Sequence, residues 1–102
     1  METLTPSDIR RILSVVIDPE IGHNIVDLGL IYGIHVQPNG NVYILLTFTS
    51  PTCPFADIIL NQIRDLLESV EGVGDVEIEI TFDPAWNTSM MSEEIQVDTG
   101  LF

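Results

Sequence analysis

Apolar residues recur at helical spacing in two stretches of the chain. The first follows Thr5-Pro6, where threonine is a favourable N-cap and proline suits the first helical position. Its apolar stripe consists of Ile9, Ile12, Leu13 and Val16. A residue before proline is pushed out of the helical conformation, so Asp18-Pro19 is predicted to end this helix. A second helix is predicted between Pro54 and Gly72, with apolar positions at Phe55, Ile58, Ile59, Ile63, Leu66, Leu67 and Val70.

Three further stretches predict strands. The first spans roughly residues 31–37, and the turn Pro38-Asn39-Gly40-Asn41 leads to a second strand over residues 42–49. In residues 76–82 apolar side chains alternate with polar or acidic ones, which is typical of a half-buried strand. The order α-β-β-α-β predicts an α+β sandwich, a short mixed sheet with the helices packed on one face. We predict a single domain over residues 1–102, with an irregular C-terminal tail over residues 84–102.

The charge of the chain excludes several functions. It has 102 residues, three Arg, no Lys and sixteen acidic residues, which give a formal charge of −13. Nucleic-acid binding depends on cations that neutralise phosphates, and Arg10, Arg11 and Arg64 are too few for that. An anionic membrane surface would repel the chain for the same reason. We therefore predict no nucleic-acid partner and no membrane partner.

The sequence also indicates a compartment. The N-terminal residues lack the basic and apolar regions of a signal peptide. No apolar run reaches the length of about 18 residues that a membrane-spanning helix needs. The single cysteine cannot form an internal disulfide. These features predict a cytoplasmic protein.

Cys53 is the residue that suggests specific chemistry. It lies where the second strand is predicted to end and the second helix to begin, and free N–H groups at a helix N-terminus stabilise a thiolate. A thiolate binds iron or attacks electrophiles. The alternative is a buried and inert cysteine. One cysteine cannot hold an iron–sulphur cluster alone, so a cluster would need a second chain or small thiols.

Two other groups of residues are candidates. Asp18, Glu20 and His23 could bind a metal or act as acid and base, or they could form a solvated turn. Thr49 and Thr52 offer hydroxyls beside Cys53, although strand propensity and helix capping also explain them. In the tail, a docking surface and ordinary core packing are the two interpretations of Trp86, Met90 and Met91.

Several motifs together resemble a known family. They are Asp18-Pro19-Glu20, Val26-Asp27-Leu28-Gly29-Leu30-Ile31-Tyr32, Thr47-x-Thr49-x-x-x-Cys53-Pro54 and Phe82-Asp83-Pro84-x-Trp86. Their order and spacing are similar to those of the SufT/PaaD-like family, which is associated with iron–sulphur protein maturation. The chain departs from the family's pattern in its tail, where Asn87-Thr88-Ser89 and an acidic end replace a proline and several basic residues.

The resemblance implies an iron–sulphur cluster assembly or maturation factor that is not an enzyme. It implies that Cys53 matches the motif cysteine, that Asp18 and Glu20 match the acidic loop, and that Thr49 matches the preceding hydroxyl. It also implies client apoproteins or other iron–sulphur assembly proteins as partners, and a possible homodimer. Any cluster would be bound transiently, with no tightly bound cofactor.

Three functional hypotheses follow from these residues. In the first, Cys53 transiently binds iron or a cluster and delivers it to a client. In the second, the protein is a metal-free adaptor that recruits clients through its tail and its acidic surface, like a maturation factor of an aromatic-ring oxygenating complex. In the third and weakest, Cys53 is an enzymatic nucleophile with His23 as its base. We expect the first.

Overall fold

The helices and strands follow the predicted α-β-β-α-β order. A computed structural model of the chain describes residues 4–49 and 54–93. Its elements are helix α1 (Pro6–Leu13), strand β1 (Ile31–Val36), strand β2 (Val42–Leu46), helix α2 (Ala56–Glu68), strand β3 (Val76–Ile80) and a 3₁₀ helix (Thr88–Met90). The α+β prediction is confirmed. In the described ranges, no helix is both long enough and apolar enough to span a membrane.

The three strands form one mixed sheet in the order β1-β2-β3. Strand β1 pairs with β2 antiparallel, and β3 pairs with β2 parallel. Alternate residues of β2 point to opposite faces, and the fully buried face belongs to Val42, Ile44 and Leu46. Both helices pack on that face, where α1 contributes Ile9 and Leu13 and α2 contributes Ile59, Ile63 and Leu67. In the described part of the chain, neither α1 nor α2 packs on the opposite face of the sheet.

Helix α1 begins as predicted and ends early. The Thr5 hydroxyl accepts from the backbone N–H of Asp8 at 3.2 Å, and the Asp8 carboxylate accepts from the backbone N–H of Thr5 at 3.0 Å. The predicted end at Asp18 is wrong, because Val16 already pairs outside the helix and accepts from the N–H of Ile25 at 2.9 Å. Val16 lies in the loop after the helix, but it also points into the core and is 3 % exposed. This burial explains why its position fits the apolar pattern of the helix.

The other boundaries are tighter than predicted. Strand β2 ends at Leu46, since the N–H of Thr47 donates to the carbonyl of Leu30 instead of to β1. Strand β3 ends at Ile80, two residues before the predicted end. Helix α2 begins at Ala56 with Phe55 as N-cap and ends at Glu68, so it lies within the range predicted between Pro54 and Gly72.

Candidate functional site

The acidic segment after α1 forms a closed loop, which we call the acidic loop (residues 18–24). Its ends are joined by a β-bridge between Ile17 and Asn24 and by a hydrogen bond from the N–H of Asp18 to the carbonyl of His23 at 2.9 Å. Inside the loop, the Asp18 carbonyl accepts from the N–H of Gly22 at 2.7 Å. Gly22 has a φ of +85°, which glycine adopts at low cost. These bonds hold the loop in one conformation.

Asp18 is fully buried although it is acidic. Its side chain is 0 % exposed, and its Oδ1 accepts from the N–H of Glu20 at 2.8 Å. Its Oδ2 is buried too, and within residues 4–49 and 54–93 this oxygen has no hydrogen-bond partner. Of the two interpretations, a solvated turn does not fit Asp18, because packing under the loop removes its side chain from water.

A buried carboxylate oxygen without a partner is costly. Removing an unpaired polar group from water costs about 1–3 kcal/mol, and a charged one costs more. Such an oxygen gains most from a proton, a hydrogen-bond donor or a cation. Asp18 is therefore a group that a hydrogen-bond donor or a metal ion in contact with it would stabilise.

Glu20 connects the acidic loop with the residues that follow strand β2. The Thr49 hydroxyl lies 3.5 Å from Oε2 of Glu20, a long contact between residues 29 positions apart. Glu20 is exposed and Thr49 is half-buried. The structure thus brings three predicted site residues, Asp18, Glu20 and Thr49, to one region. Thr52 and Cys53 lie outside the described residues.

The oxygens of this region suit hard cations. Carboxylate and hydroxyl oxygens bind Mg²⁺, Mn²⁺ and ferrous iron, whereas a cysteine thiolate is the softer ligand that iron–sulphur chemistry needs. Within the described ranges, no three side chains of His, Cys, Asp or Glu are placed to hold a metal ion. His23 belongs to the same loop and is half-buried. The described residues, which do not include Cys53, therefore supply only part of a metal site.

The predicted tail residues lie against the segment before β1. The indole N–H of Trp86 donates to the carbonyl of Leu28 at 2.7 Å, and the hydroxyl of Tyr32 donates to the carbonyl of Pro84 at 2.8 Å. Met91 is 4 % exposed and belongs to the core. A partner-binding role for Trp86, Met90 and Met91 stays a prediction. The side chains of Trp86 and Met91 already make contacts within the chain.

Met90 lines a groove on the surface of the protein. The groove has a volume of about 610 Å³ and lies between the tail and β1. Its lining residues are Gly29, Ile31, Tyr32, Leu45, Asp83, Pro84 and Met90. The sulphur of Met90 is 3.4 Å from the Tyr32 hydroxyl. Met90 is therefore a predicted partner-binding residue that lies beside open space.

Two residues that shape this region were not predicted from the sequence. Asn24 accepts from the N–H of Asp27 and donates to its carboxylate, both at 2.9 Å, which fixes the exit from the acidic loop. An Asn three residues before an Asp is a capping signal that could have been recognised. Tyr32 binds a carbonyl 52 positions away, and no local pattern reports such a contact.

Comparison with known proteins gives consistent matches. The iron–sulphur cluster assembly protein family matches residues 6–80. An Fe-S protein maturation auxiliary factor of Porphyromonas gingivalis is 49 % identical over 96 residues, which cover 94 % of this chain and 91 % of that protein. A factor with the same description from Bacillus subtilis is 35 % identical and covers 99 % of both chains.

The fold agrees with these sequence matches. The crystal structure of a domain of unknown function from Bacillus anthracis matches with a TM-score of 0.89 and 33 % identity. The match covers 95 % of this chain and 92 % of that one. Family and fold thus agree over nearly the whole length, and the chain belongs to the SufT/PaaD-like family of iron–sulphur cluster assembly proteins.

Proposed function

We propose that this protein is an iron–sulphur maturation factor that binds iron or a cluster transiently through Cys53 and delivers it to client apoproteins. Membership of the family supports the assembly role. The observation that supports a site at Cys53 is the contact between Glu20 and Thr49, because it joins the acidic loop to the segment that leads to the cysteine.

Covalent geometry supports a shared site. Four peptide steps separate Thr49 from Cys53, so their Cα atoms lie at most about 14 Å apart. Cys53 is also directly bonded to Pro54, which precedes helix α2. In the sequence, the cysteine therefore stands between the residue that contacts Glu20 and the beginning of helix α2.

The cysteine thiolate and the carboxylates of the acidic loop have different roles in this proposal. A thiol must lose its proton before it binds iron, and the sulphur then donates its electron pair to the metal. A carboxylate of the acidic loop, Asp18 or Glu20, accepts that proton or supplies an oxygen ligand. A single thiolate per chain leaves the cargo under-ligated, so a second chain or small thiols complete its four ligands. Weak protein ligation favours release to a client with more cysteines.

The test is anaerobic reconstitution with iron and sulphide of the wild type, Cys53→Ser and Glu20→Gln. We expect a visible chromophore in the wild type, none in Cys53→Ser, and reduced iron in Glu20→Gln. Glu68→Gln is the matched control, because Glu68 is an exposed glutamate at the far end of α2 and should keep the iron of the wild type. Equal iron per chain in the wild type and Cys53→Ser would contradict the proposal.

A metal-free adaptor is the second candidate, and the groove beside Met90 favours it. In that case the wild type stays colourless, and Met90→Ala weakens client capture while Cys53→Ser does not. Neither candidate requires catalysis, and we propose a non-enzymatic role. The cytoplasmic location, the homodimer and the identity of the client stay predictions from the sequence.

A further inference from the structure

Strand β3 is an edge of the sheet. It pairs with β2 on one side, and in the described part of the chain no strand pairs with its other side. The Asp75 carbonyl accepts from Val42 and the Thr81 N–H donates to Leu46, both at 2.9 Å. Backbone groups alternate in direction along a strand, so the odd-numbered residues of β3 bond to β2. The N–H and carbonyl groups of the even-numbered residues point to the open edge.

One of these edge groups is already satisfied. Arg64 of helix α2 donates to the carbonyl of Val76 at 2.8 Å. Beyond that point, the backbone groups of Ile78 and Ile80 form a short open stretch. Ile80 is 40 % exposed, and Phe82, two residues further along the chain, is 41 % exposed. The edge thus offers backbone donors, backbone acceptors and apolar side chains together.

The other edge of the sheet is less suited to pairing. Strand β1 has an irregular register between Ile31 and Gly33, and such bulges disrupt further strand pairing. The Tyr32 side chain is also bound to the tail through Pro84. Strand β3 keeps a regular register over all five residues, from Val76 to Ile80.

The charges beside β3 define what can pair with it. Glu77 and Glu79 are exposed on the sheet face opposite α1 and α2, where their neighbours on β2 are Tyr43 and Leu45. Partial burial, a hydrogen bond to Glu79 and the charges of Glu79 and Glu77 raise the pKa of Tyr43. In a pairing of β3 with a second copy, glutamates would face glutamates, which is unfavourable. A strand with Lys or Arg at alternate positions would face them favourably.

A cavity lies on the sheet face that carries Glu77. Its volume is about 320 Å³, and it is lined by His35, Gln37, Asn41, Val42, Tyr43, Asp75 and Glu77. A long basic side chain placed beside Glu77 has room there, with Asp75 as a further carboxylate. The three arginines of the chain lie on α1 and α2, so none belongs to this sheet face.

We propose that the open edge of β3 binds an extended basic segment of a partner protein by strand addition. The partner's backbone bonds to Ile78 and Ile80, its basic side chains face Glu77 and Glu79, and its apolar side chains cover Ile80 and Phe82. Binding at this edge uses residues of β3 and Phe82 and requires no metal.

The test uses a synthetic peptide of about nine residues that alternates Lys with Val, a length typical of a strand. Two further peptides carry N-methyl groups on alternate amides, one on the Lys residues and the other on the Val residues. Only one of these sets can face β3, and which one depends on whether the strand adds parallel or antiparallel. We expect the peptide to bind below about 1 mM, and one methylated peptide to bind at least about tenfold more weakly.

Protein-side measurements locate the binding. Site-resolved hydrogen exchange should show new protection at the amides of Ile78 and Ile80. Glu77→Gln with Glu79→Gln should weaken binding and reduce its salt dependence, whereas Asp57→Asn with Asp65→Asn, two exposed changes on α2, should not. Ile80→Pro removes one edge N–H and should weaken binding, and Ile80→Val is its control.

Three results would overturn the proposal. They are no binding up to about 1 mM, equal binding of both methylated peptides, or protection away from β3. Cys53→Ser should bind the peptide like the wild type, so this test and the test of the maturation role fail independently.

Discussion

The hydroxyl of Thr49 lies 3.5 Å from the carboxylate of Glu20, and this contact joins two segments 29 residues apart. It links the acidic loop to the chain that leads to Cys53. The contact is long and partly exposed, so it contributes less than about 1 kcal/mol to stability. We propose that the contact matters because it positions the Glu20 carboxylate.

Thr49→Val should therefore affect iron binding more than folding. We expect the free energy of unfolding to change by less than about 1 kcal/mol, while iron per chain after anaerobic reconstitution falls. Urea denaturation and iron analysis measure the two quantities. Thr88→Val, a half-buried threonine on the 3₁₀ helix, is the control and should keep its iron. An unchanged iron content in Thr49→Val would show that the contact does not matter for the site.

Asp18→Asn should change stability and iron binding in opposite directions. Asparagine keeps an oxygen for the N–H of Glu20 and removes the buried charge whose Oδ2 has no partner among the described residues. We expect the metal-free variant to be about 1 kcal/mol more stable than the wild type at pH 7. Its iron content should fall.

The control for Asp18 is Asp27→Asn. Asp27 is exposed and is hydrogen-bonded to Asn24, so its replacement should not increase stability. Urea unfolding compares the two variants with the wild type. A destabilised Asp18→Asn with unchanged iron would mean that the Asp18 carboxylate has only a structural role.

Trp86→Phe should loosen the tail without unfolding the domain. The variant loses the hydrogen bond to the Leu28 carbonyl, which should cost about 1 kcal/mol. We expect faster hydrogen exchange at the amide of Ser92, which bonds to the carbonyl of Asp27 at 2.7 Å. Exchange in the β2 core should change less. Tyr32→Phe, which loses the bond to Pro84, should have a similar effect, and no change in either variant would contradict the predicted anchoring.

The start of α1 should contribute stability that acid removes. The Thr5 backbone N–H, the Thr5 side chain and the charge of Arg11 hold the pKa of Asp8 below its ordinary value. The folded state therefore favours ionised Asp8. This contribution is complete above the ordinary aspartate pKa of about 4 and is lost as the pH falls through the lower folded value.

Asp8→Asn tests this pH dependence. The variant should be less stable than the wild type at pH 6, and the difference should shrink as the pH falls below about 4. Thr5→Ala removes the capping partner and should itself cost about 1 kcal/mol. In the Thr5→Ala background, Asp8→Asn should show a weaker pH dependence. A difference that stays constant from pH 6 to about pH 2 would contradict this origin of the shift.

Local patterns predicted the elements better than their ends. The alternation in residues 76–82 identified β3 because one side of that strand packs on the core and the other does not. The end of α1 was predicted too late because Val16 has helical spacing, although it is buried by a loop that pairs with Ile25. Periodicity reports which residues are buried and does not report which backbone partner they have.

The candidate site was predicted as a set of residues and not as an arrangement. Asp18, Glu20 and Thr49 were recognised from residue type and from the family resemblance. Their proximity depends on the register of the sheet and on the closure of the acidic loop, which are long-range properties. The buried state of Asp18 follows from the same packing, so the sequence alone left a solvated turn and a metal or acid–base role as alternatives.

Cluster delivery to an apoprotein tests the central claim most directly. Protein loaded anaerobically with iron and sulphide is mixed with an apo-ferredoxin in the presence of an iron chelator, and circular dichroism follows the holo-ferredoxin. We predict chelator-resistant transfer from the wild type and from Glu68→Gln, and none from Cys53→Ser. Transfer by Cys53→Ser at the rate of the wild type, or no transfer from loaded wild type, would contradict the account.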